Sequence, residues 1–333
     1  MMGEFMDLPP EPSGRTVLLL TGLGDTTADL VTKELEHRSV RVFRLDTGDF
    51  PASINVTAHF DGRWQGELDS ADGSVDLADI RSIYVRRPTE FRFPPALSDA
   101  EQRFASREAR RGLGGLLMSL PCTWVNHPSR AADAEYKPYQ LATAAACGLD
   151  VPRTVITNVP GDADWHYAFL RSSAIYKTLS SAIVPDGQRV SLIYTTDVTR
   201  ANMADDRVAL TAHQFQQHIR KVRDVRATVV GKQVFAANIL VDADTTEYLL
   251  DWRSDYPALH YEPTTLPPEV GASLLKLTER LGLVFASADF VVTEEGQHYF
   301  VDLNPSGQWG WIQEATDLPI AAAIAAHLAG ADQ

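Results

Sequence analysis

The segment from Ser287 to Gly310 limits what this chain can become more than any other part of it. Ser287-Ala-Asp289-Phe-Val-Val and His298-Tyr-Phe-Val-Asp302-Leu-Asn304 have strand character, and Glu294-Glu295-Gly296-Gln297 between them reads as a hairpin turn. The second run passes straight into Pro305-Ser-Gly307-Gln-Trp309-Gly310. Asp302 and Asn304 are two residues apart, so an extended strand turns both side chains to one face. Pairing of the strands brings Asp289 close to Asp302. Two carboxylates and one amide oxygen suit a hard divalent cation such as Mg²⁺ and leave room for phosphate oxygens. A plain hairpin closed by an Asn-Pro turn accounts for the same residues without a ligand.

At 333 residues the chain exceeds a single domain of roughly 100–200 residues, so two or three packed units are expected. The net charge of −14 excludes a general nucleic-acid binder, which needs Lys and Arg against the phosphate backbone. Nucleotide binding needs only a few local cations and stays open. Glu4, Asp7, Glu11 and a run of prolines stand where a secretory signal would need an apolar stretch, and no apolar run reaches the ~20 residues of a membrane span. Cys122 and Cys147 form no metal or redox motif, and a cytoplasmic location is expected.

Residues 1–14 read as a disordered arm, rich in Pro and acid. Arg15-Thr-Val-Leu-Leu-Leu-Thr-Gly is a buried strand, followed by Gly22-Leu-Gly24, a helix from Ala28 and a second strand at Arg41. This βαβ unit carries only part of a dinucleotide fingerprint, and turn geometry accounts for its glycines. A hairpin is expected over Ala52–Phe60 and Arg63–Leu68, a strand at Ile83–Pro88, a long helix from Asp99 to Leu120, and one helix from Ala131 to Cys147 ending at Gly148. Residues 15–126, 127–212 and 213–333 are the three expected parts.

Candidate chemistry is spread over the last two parts. Lys137 lies on a predicted helix, and Lys177 lies in the strand Ser173-Ala-Ile-Tyr-Lys177-Thr-Leu. A lysine among apolar neighbours costs energy unless paired, and phosphate oxygens would pair it; a stem snorkelling to solvent is the plain alternative. Asp224 and Arg226 share one strand face, where Arg226 could grip a phosphate or simply form a solvated ion pair. Arg253 follows another strand. The nine histidines show no metal-binding spacing.

In order and spacing these segments resemble the ATP-grasp superfamily, and more closely its ribosomal-peptide maturases, the graspetide (microviridin-type) synthetases. The likeness is carried by Arg86-Arg87-Pro88, Trp124-Val-Asn-His-Pro128, Lys137 to Gly148, Ile175-Tyr-Lys177, Phe215-Gln-Gln-His-Ile219, Asp224-Val-Arg226, Asp289 and Asp302-Leu-Asn304-Pro-Ser-Gly-Gln-Trp309. It implies an α/β fold of three subdomains, an N-terminal βαβ pre-ATP-grasp domain followed by two ATP-grasp subdomains that hold ATP between them. It also implies roles. Lys137 and Lys177 would meet the α- and β-phosphates, Gln216, Gln217, His218 and Ile219 the adenine edge, and Asp224 the ribose or the lysines. Arg226 and Arg253 would face the γ-phosphate and the acyl-phosphate, and Asp289, Asp302 and Asn304 would hold Mg²⁺. Two positions depart from the pattern, Gln217 and Asp302, where the superfamily commonly has Glu.

The activity so implied is carboxylate activation. Asp or Glu side chains of a precursor peptide, with a leader and an acidic, Ser/Thr-rich core, would be phosphorylated and joined to Ser or Thr hydroxyls or Lys amines. A homodimer is expected with it. Two rival readings are a carboxylate–amine ligase acting on an amino acid or protein terminus, and an ATP-binding regulatory module without turnover. The segment from Ile183 to Leu192, a hairpin around Asp186-Gly187, and the polar stretch Asp197 to Asp206 form a candidate leader-binding surface or an ordinary solvent hairpin.

Overall fold

The computed structural model describes residues 15–180, 183–186, 189–241 and 250–330. The arm expected over residues 1–14 lies outside them. The chain opens with a parallel sheet in the order Arg41–Leu45, Thr16–Thr21, Ile80–Arg86, Thr123–Val125. Every residue of Thr16–Thr21 is buried, because both faces of that strand are covered. Val17 and Leu19 pack with Val31 and Leu35 of the helix Thr26–His37 and with Ile324 and Leu328 of the helix Ile320–Leu328. Leu18 and Leu20 face a separate core built with Leu113, Leu116 and Leu117. Asp25 caps the helix Thr26–His37, accepting from the amides of Thr27 and Ala28 at 2.9 and 3.0 Å.

Three expectations change at the level of elements. The hairpin gains a third strand, giving an antiparallel sheet of Asn55–Phe60, Trp64–Ser70 and Gly73–Asp76. The long helix begins at Asp99–Ala109, widens to π geometry over Arg110–Gly114 and ends with Gly115–Met118. The helix expected over 131–147 is two, Pro128–Ala134 and Lys137–Ala146. Pro138 explains the break, since its ring disfavours helical geometry in the preceding turn and is tolerated only at a helix start. Gly148 follows with φ +97°, in the region that favours glycine.

A small antiparallel sheet comes next, in the order Thr196–Val198, Ala174–Lys177, His213–Gln217, Thr154–Thr157. His213–Gln217, placed by sequence at the start of the third part, thus pairs into this central sheet. Phe215 and Tyr176 turn to one face, against Ala163, Leu170 and Met203. Strand alternation turns Lys177, Gln214 and Gln216 to the other.

The largest sheet is antiparallel, in the order Leu259–Thr264, Gln233–Val241, Arg223–Val230, Phe285–Val292, His298–Asn304. One face packs on the helices Lys137–Ala146 and Pro268–Leu281 through Val225, Ala227, Ala288, Phe290, Phe300 and Leu303. The register between the last two strands pairs Asp289 with Asp302 but Phe290 with Phe300, so Val301 is the extra residue of a β-bulge. Without that bulge Phe300 and Asp302 would share a face, and the carboxylate would point into the apolar core. The bulge turns Asp302 and Asn304 to the opposite face.

Asn126 locks this sheet to the first one. Its Nδ2 donates to the carbonyls of Phe285 and Pro305 at 2.7 and 2.8 Å, and its Oδ1 accepts from the amides of Val284 and Phe285 at 2.9 Å each. An apolar replacement leaves those buried backbone groups unpaired, at a cost of about 1–3 kcal/mol for an unsatisfied group. Asn126→Leu is expected to lower the unfolding free energy by about 3 kcal/mol in urea titrations. A stability equal to wild type would show that the junction is held elsewhere.

Candidate active site

The strand register places three charged side chains in one row across the large sheet. Arg226 stands opposite Asp289, and Asp289 opposite Asp302. Arg226 grips Asp289 with both ends of its fork, Nε to Oδ1 at 2.8 Å and Nη2 to Oδ2 at 2.9 Å. Arg253 adds a third bond, Nη2 to Oδ2 at 2.6 Å, from the short helical turn Trp252–Ser254. Asp251 holds that turn by accepting from the Arg253 amide at 3.1 Å. The Trp252 ring lies 5.2 Å from the Arg226 guanidinium and 4.5 Å from that of Arg253, so both cations also rest on an aromatic face. Burial alone would push the Asp289 carboxyl up. The two arginines outweigh it and hold the group down to about 2.

Two lysines reach the same row from other elements. Lys137 begins the helix Lys137–Ala146 and pairs with Asp302. Lys177 ends its strand, and its Nζ donates to the Val301 carbonyl at 3.3 Å, across the gap between the central and large sheets. Burial lowers the pKa of Lys177, while the nearby Asp302 and Asp289 oppose that and Arg253 and Lys137 add to it. Four cations therefore face Asp289, Asp302 and Asp251, which lies 3.3 Å from Arg253, inside one partly buried gap. The remaining surplus of positive charge favours an anion.

Asp302 and Asn304 stand on one face, as the spacing predicts, with Asn304 opposite Ser287. Asn304 is exposed, and its Oδ1 accepts from the Ser306 amide at 2.8 Å. Among the described residues no three His, Cys, Asp or Glu side chains are placed together to hold a metal ion. A metal here would draw on two carboxylates and an amide, all hard oxygen donors in register, which suits Mg²⁺. In this structure both carboxylates are engaged by cations.

Gln216, Gln217, His218 and Ile219 lie where the chain leaves the central sheet for the large one. Gln216 is buried, donates from Nε2 to Thr154 Oγ1 at 3.0 Å, and turns an unpartnered Oε1 to the face that carries Lys177. Gln217 donates its amide to the Arg153 carbonyl at 2.8 Å. His218 donates its amide to Ser173 at 2.9 Å and sets Nδ1 2.9 Å from Asp197. Ile219 is half-buried in the connecting segment. Asp224 is on the face of Arg226, with Lys221 Nζ 2.6 Å from its Oδ2. Burial pushes its carboxyl up to about 6, with Lys221 opposing and Asp289 and Asp251 contributing.

Several positioning residues carry no reading from composition or spacing. Gln140 clamps the backbone beside Asp302, donating to the Leu303 carbonyl at 2.7 Å and accepting from the Leu303 amide at 3.2 Å. Arg86 is 2 % exposed and donates to the Ser306 carbonyl at 2.8 Å and to the Gln308 side chain. Gln308 in turn accepts at its backbone carbonyl from Arg226 Nη1 at 3.3 Å. A Cβ on Gly307 would lie 2.5 Å from Cβ of Ser287, so only glycine lets this loop lie against the strand. The available signals were a charge ending a buried strand at Arg86, a polar residue after one at Asn126, and a glutamine in an Ala-rich helix at Gln140.

Residues 16–132 match the MvdD pre-ATP grasp domain family. The whole chain is similar to solved structures of one architecture. The macrocyclase MdnC from Microcystis aeruginosa MRC, bound with its precursor peptide MdnA, is 25% identical, with 95% of this chain and 99% of that chain covered and a TM-score of 0.82. A RiPP-associated ATP-grasp ligase from Chryseobacterium gregarium, in complex with ADP and a leader and core peptide, is 25% identical over 95% and 97% of the chains, with a TM-score of 0.86. The macrocyclase MdnB from Microcystis aeruginosa MRC is 28% identical over 94% and 99%, with a TM-score of 0.75. No curated protein matches the sequence. The fold is that of the ATP-grasp ligases. Within that class, the likeness is to the macrocyclases of ribosomally made peptides.

Asp224 supplies a test of the site's electrostatics. A carboxyl whose folded pKa lies above its unfolded value adds stability that is fully present below the unfolded pKa and lost as pH rises through the folded one. For Asp224 that window runs from its ordinary 3.8 to about 6. Relative to Asp224→Asn, wild type should lose about 3 kcal/mol of stability across that window. Urea titrations on either side of the window read the difference, and parallel pH profiles for the two proteins would contradict it.

Proposed function

We propose that this chain is an ATP-dependent ligase that phosphorylates Asp or Glu side chains of a ribosomal precursor peptide and joins them to Ser or Thr hydroxyls or Lys amines. The observation that carries the proposal is the gap in which Lys137, Lys177, Arg226 and Arg253 surround the in-register pair Asp289 and Asp302. The similar ligase of Chryseobacterium gregarium, in complex with ADP and a leader and core peptide, supports this substrate class.

The reaction has two halves. A substrate carboxylate oxygen attacks the γ-phosphorus of ATP, ADP leaves, and an acyl-phosphate forms. A hydroxyl or amine then attacks the acyl carbon, loses its proton, and expels inorganic phosphate. Little covalent help is needed from the protein, because phosphoryl transfer depends on positioning and on charge neutralisation. We assign the α- and β-phosphates to Lys137 and Lys177, and the transferred phosphoryl to Arg226 and Arg253. Gln216, Gln217, His218 and Ile219 line the adenine end, and Asp224 faces the ribose or orients a lysine. Asp289, Asp302 and Asn304 would hold Mg²⁺, which supplies neutralisation of charge on the triphosphate. Since Lys137 occupies Asp302 and the arginines occupy Asp289, phosphate oxygens must draw these cations away before the carboxylates are free for metal.

The decisive assay is ATP hydrolysis with and without an acidic, Ser/Thr-rich peptide, coupled to mass analysis for loss of water from the peptide. Absence of both effects with every such peptide would reject the ligase reading. Asp302→Ala is expected to abolish product formation, and Asn304→Ala to weaken it severely. Lys177→Met keeps the apolar strand intact while removing the phosphate's partner, so calorimetry should find folded protein with ATP affinity at least tenfold lower, about 1.4 kcal/mol. Unchanged affinity would return Lys177 to a structural role.

The proposal extends to the leader. Strands Ile183–Asp186 and Arg189–Leu192 form a two-stranded sheet of their own, which ends in the exposed Leu192 and is followed by the exposed Ile193 and Tyr194. The turn between the strands lies outside the described residues. Such an edge can take a peptide as an added strand or helix, and a remote anchor raises the effective concentration of the core at one reaction centre. Replacing residues 184–189 by a short neutral turn is expected to abolish leader binding while leaving ATP affinity intact. Leader affinity equal to wild type would place the anchor elsewhere. A homodimer is part of the same proposal, and light scattering after gel filtration tests it. No helix among the described residues is long and apolar enough to cross a membrane.

A further inference from the structure

The helical run 99–118 carries Arg103, Arg107, Arg110 and Arg111, all exposed. Spacings of three and four residues set them on one side of a helix, away from the buried Ala109, Leu113 and Leu117. Arg103 with Arg107, and Arg107 with Arg111, are like charges four residues apart, which destabilise a helix unless an opposite charge stands near. Among the described residues none of the four has an ion pair or a side-chain hydrogen bond. Glu101 is turned to the helix cap, where it accepts from the Ser98 amide and hydroxyl at 2.8 and 2.6 Å. A chain of net charge −14 thus keeps a local stripe of unpaired positive charge. Apolar surface adjoins it, since Phe104 is 58 % and Met118 40 % exposed. A Cβ on Gly112 or Gly115 would meet nothing within 4 Å, so the face beside the arginines is open.

A second copy laid on this face would set arginine against arginine, so the occupant has to be acidic. The chain contains such a segment. Residues 1–14 include Glu4, Asp7 and Glu11 and no Lys or Arg, with Phe5, Met6 and Leu8 among the acids. They lead into Arg15, whose amide donates to the Asp79 carbonyl at 2.9 Å. Thr16 stands opposite Ile80, and Ser82 opposite Thr123, so three strands of the first sheet start at one end of it. The helical run finishes at that same end, because Thr123 follows shortly after Met118 and Leu120 shares an apolar cluster with Ile80. An extended segment of 14 residues spans about 45 Å. Arg103 lies about 23 Å back along the helix from Met118, well within that reach.

We propose that residues 1–14 dock on this face of their own molecule, with Glu4, Asp7 and Glu11 against the four arginines and the apolar side chains against Phe104 and Met118. Each ion pair on an exposed surface is weak, but a segment joined to the sheet meets the stripe at high local concentration. The docking stands independently of the ligase reading.

The test uses the full chain with Met6→Cys and Gly112→Cys. Disulfide formation is timed at low salt and at about 0.5 M salt, and peptide mapping separates the new bond from any made by Cys122 or Cys147. The bond should form within one molecule and should slow about tenfold at the higher salt. Asp7→Lys with Glu11→Lys should slow it about tenfold at low salt, and adding Arg107→Glu with Arg111→Glu should restore the rate. All four substituted positions lie on the arm or on the exposed face, and thermal unfolding checks that each variant stays folded. An unchanged rate with the arm's charges reversed shows that the tether alone brings the cysteines together, and overturns the docking. A bond formed between two molecules assigns the face to the arm of a second copy and overturns it too. So does binding of a blocked peptide of alternating Glu and Thr to the unsubstituted chain that is lost in Arg107→Gln with Arg111→Gln, since the face is then open to an outside partner.

Discussion

The bidentate pair of Arg226 and Asp289 is the interaction around which the rest of the site is arranged. Two charges are removed from water in the middle of a sheet, and such a pair persists only when further bonds and contacts compensate the desolvation. Here the compensation comes from Arg253, from the face of Trp252 and from the backbone carbonyl of Gln308. Each of these draws a separate segment of chain to the same point: the turn after residue 250, the loop after Asn304, and through Arg86 the first sheet. The ion pair thereby ties the turn, the loop and the first sheet together beside an apolar core that the first and large sheets already share.

Much of this was legible in the sequence because it follows from strand periodicity. The hairpin of Asp289 and Asp302 and the common face of Asp224 and Arg226 need only a period of two and a turn. The placing of Lys137 and Lys177 beside that row was expected only by resemblance. Their convergence is a long-range fact of packing, and each lysine alone fits a solvent-reaching side chain equally well. The bulge at Val301 illustrates the limit of pattern reading. Tyr299-Phe-Val-Asp-Leu-Asn gives the right face for Asp302 and Asn304 relative to each other, but the switch of phase after Phe300 is visible only against the partner strand.

The residues that escaped were those acting on backbone rather than on ligands. Gln140, Asn126 and Arg86 each satisfy carbonyls or amides far away in sequence, and no local pattern encodes that. Their neighbours, Tyr139 and Leu141, Val125 and His127, Val85 and Arg87, indicate helix or strand and nothing of these long-range bonds. The break between Ala134 and Lys137 was by contrast written plainly in Pro138 and outweighed by the helix-forming composition around it. The pairing of the strand His213–Gln217 with the central sheet was not legible, because sequence continuity with Arg223–Val230 says nothing about which sheet offers the better edge.

The four hydrogen bonds of Asn126 have a mechanical meaning beyond stability. They make the first sheet and the large sheet a single rigid base. The central sheet keeps its own small core and touches that base through few polar contacts, among them Lys177 with Val301 and the amide of Thr195 with Asp251 at 3.2 Å. The central sheet is therefore the part tied least to that base. It bears Lys177 and Gln216, while Asp289, Asp302 and Arg226 belong to the base. A displacement of that sheet would carry Lys177 and Gln216 together and leave the register of Arg226, Asp289 and Asp302 unchanged.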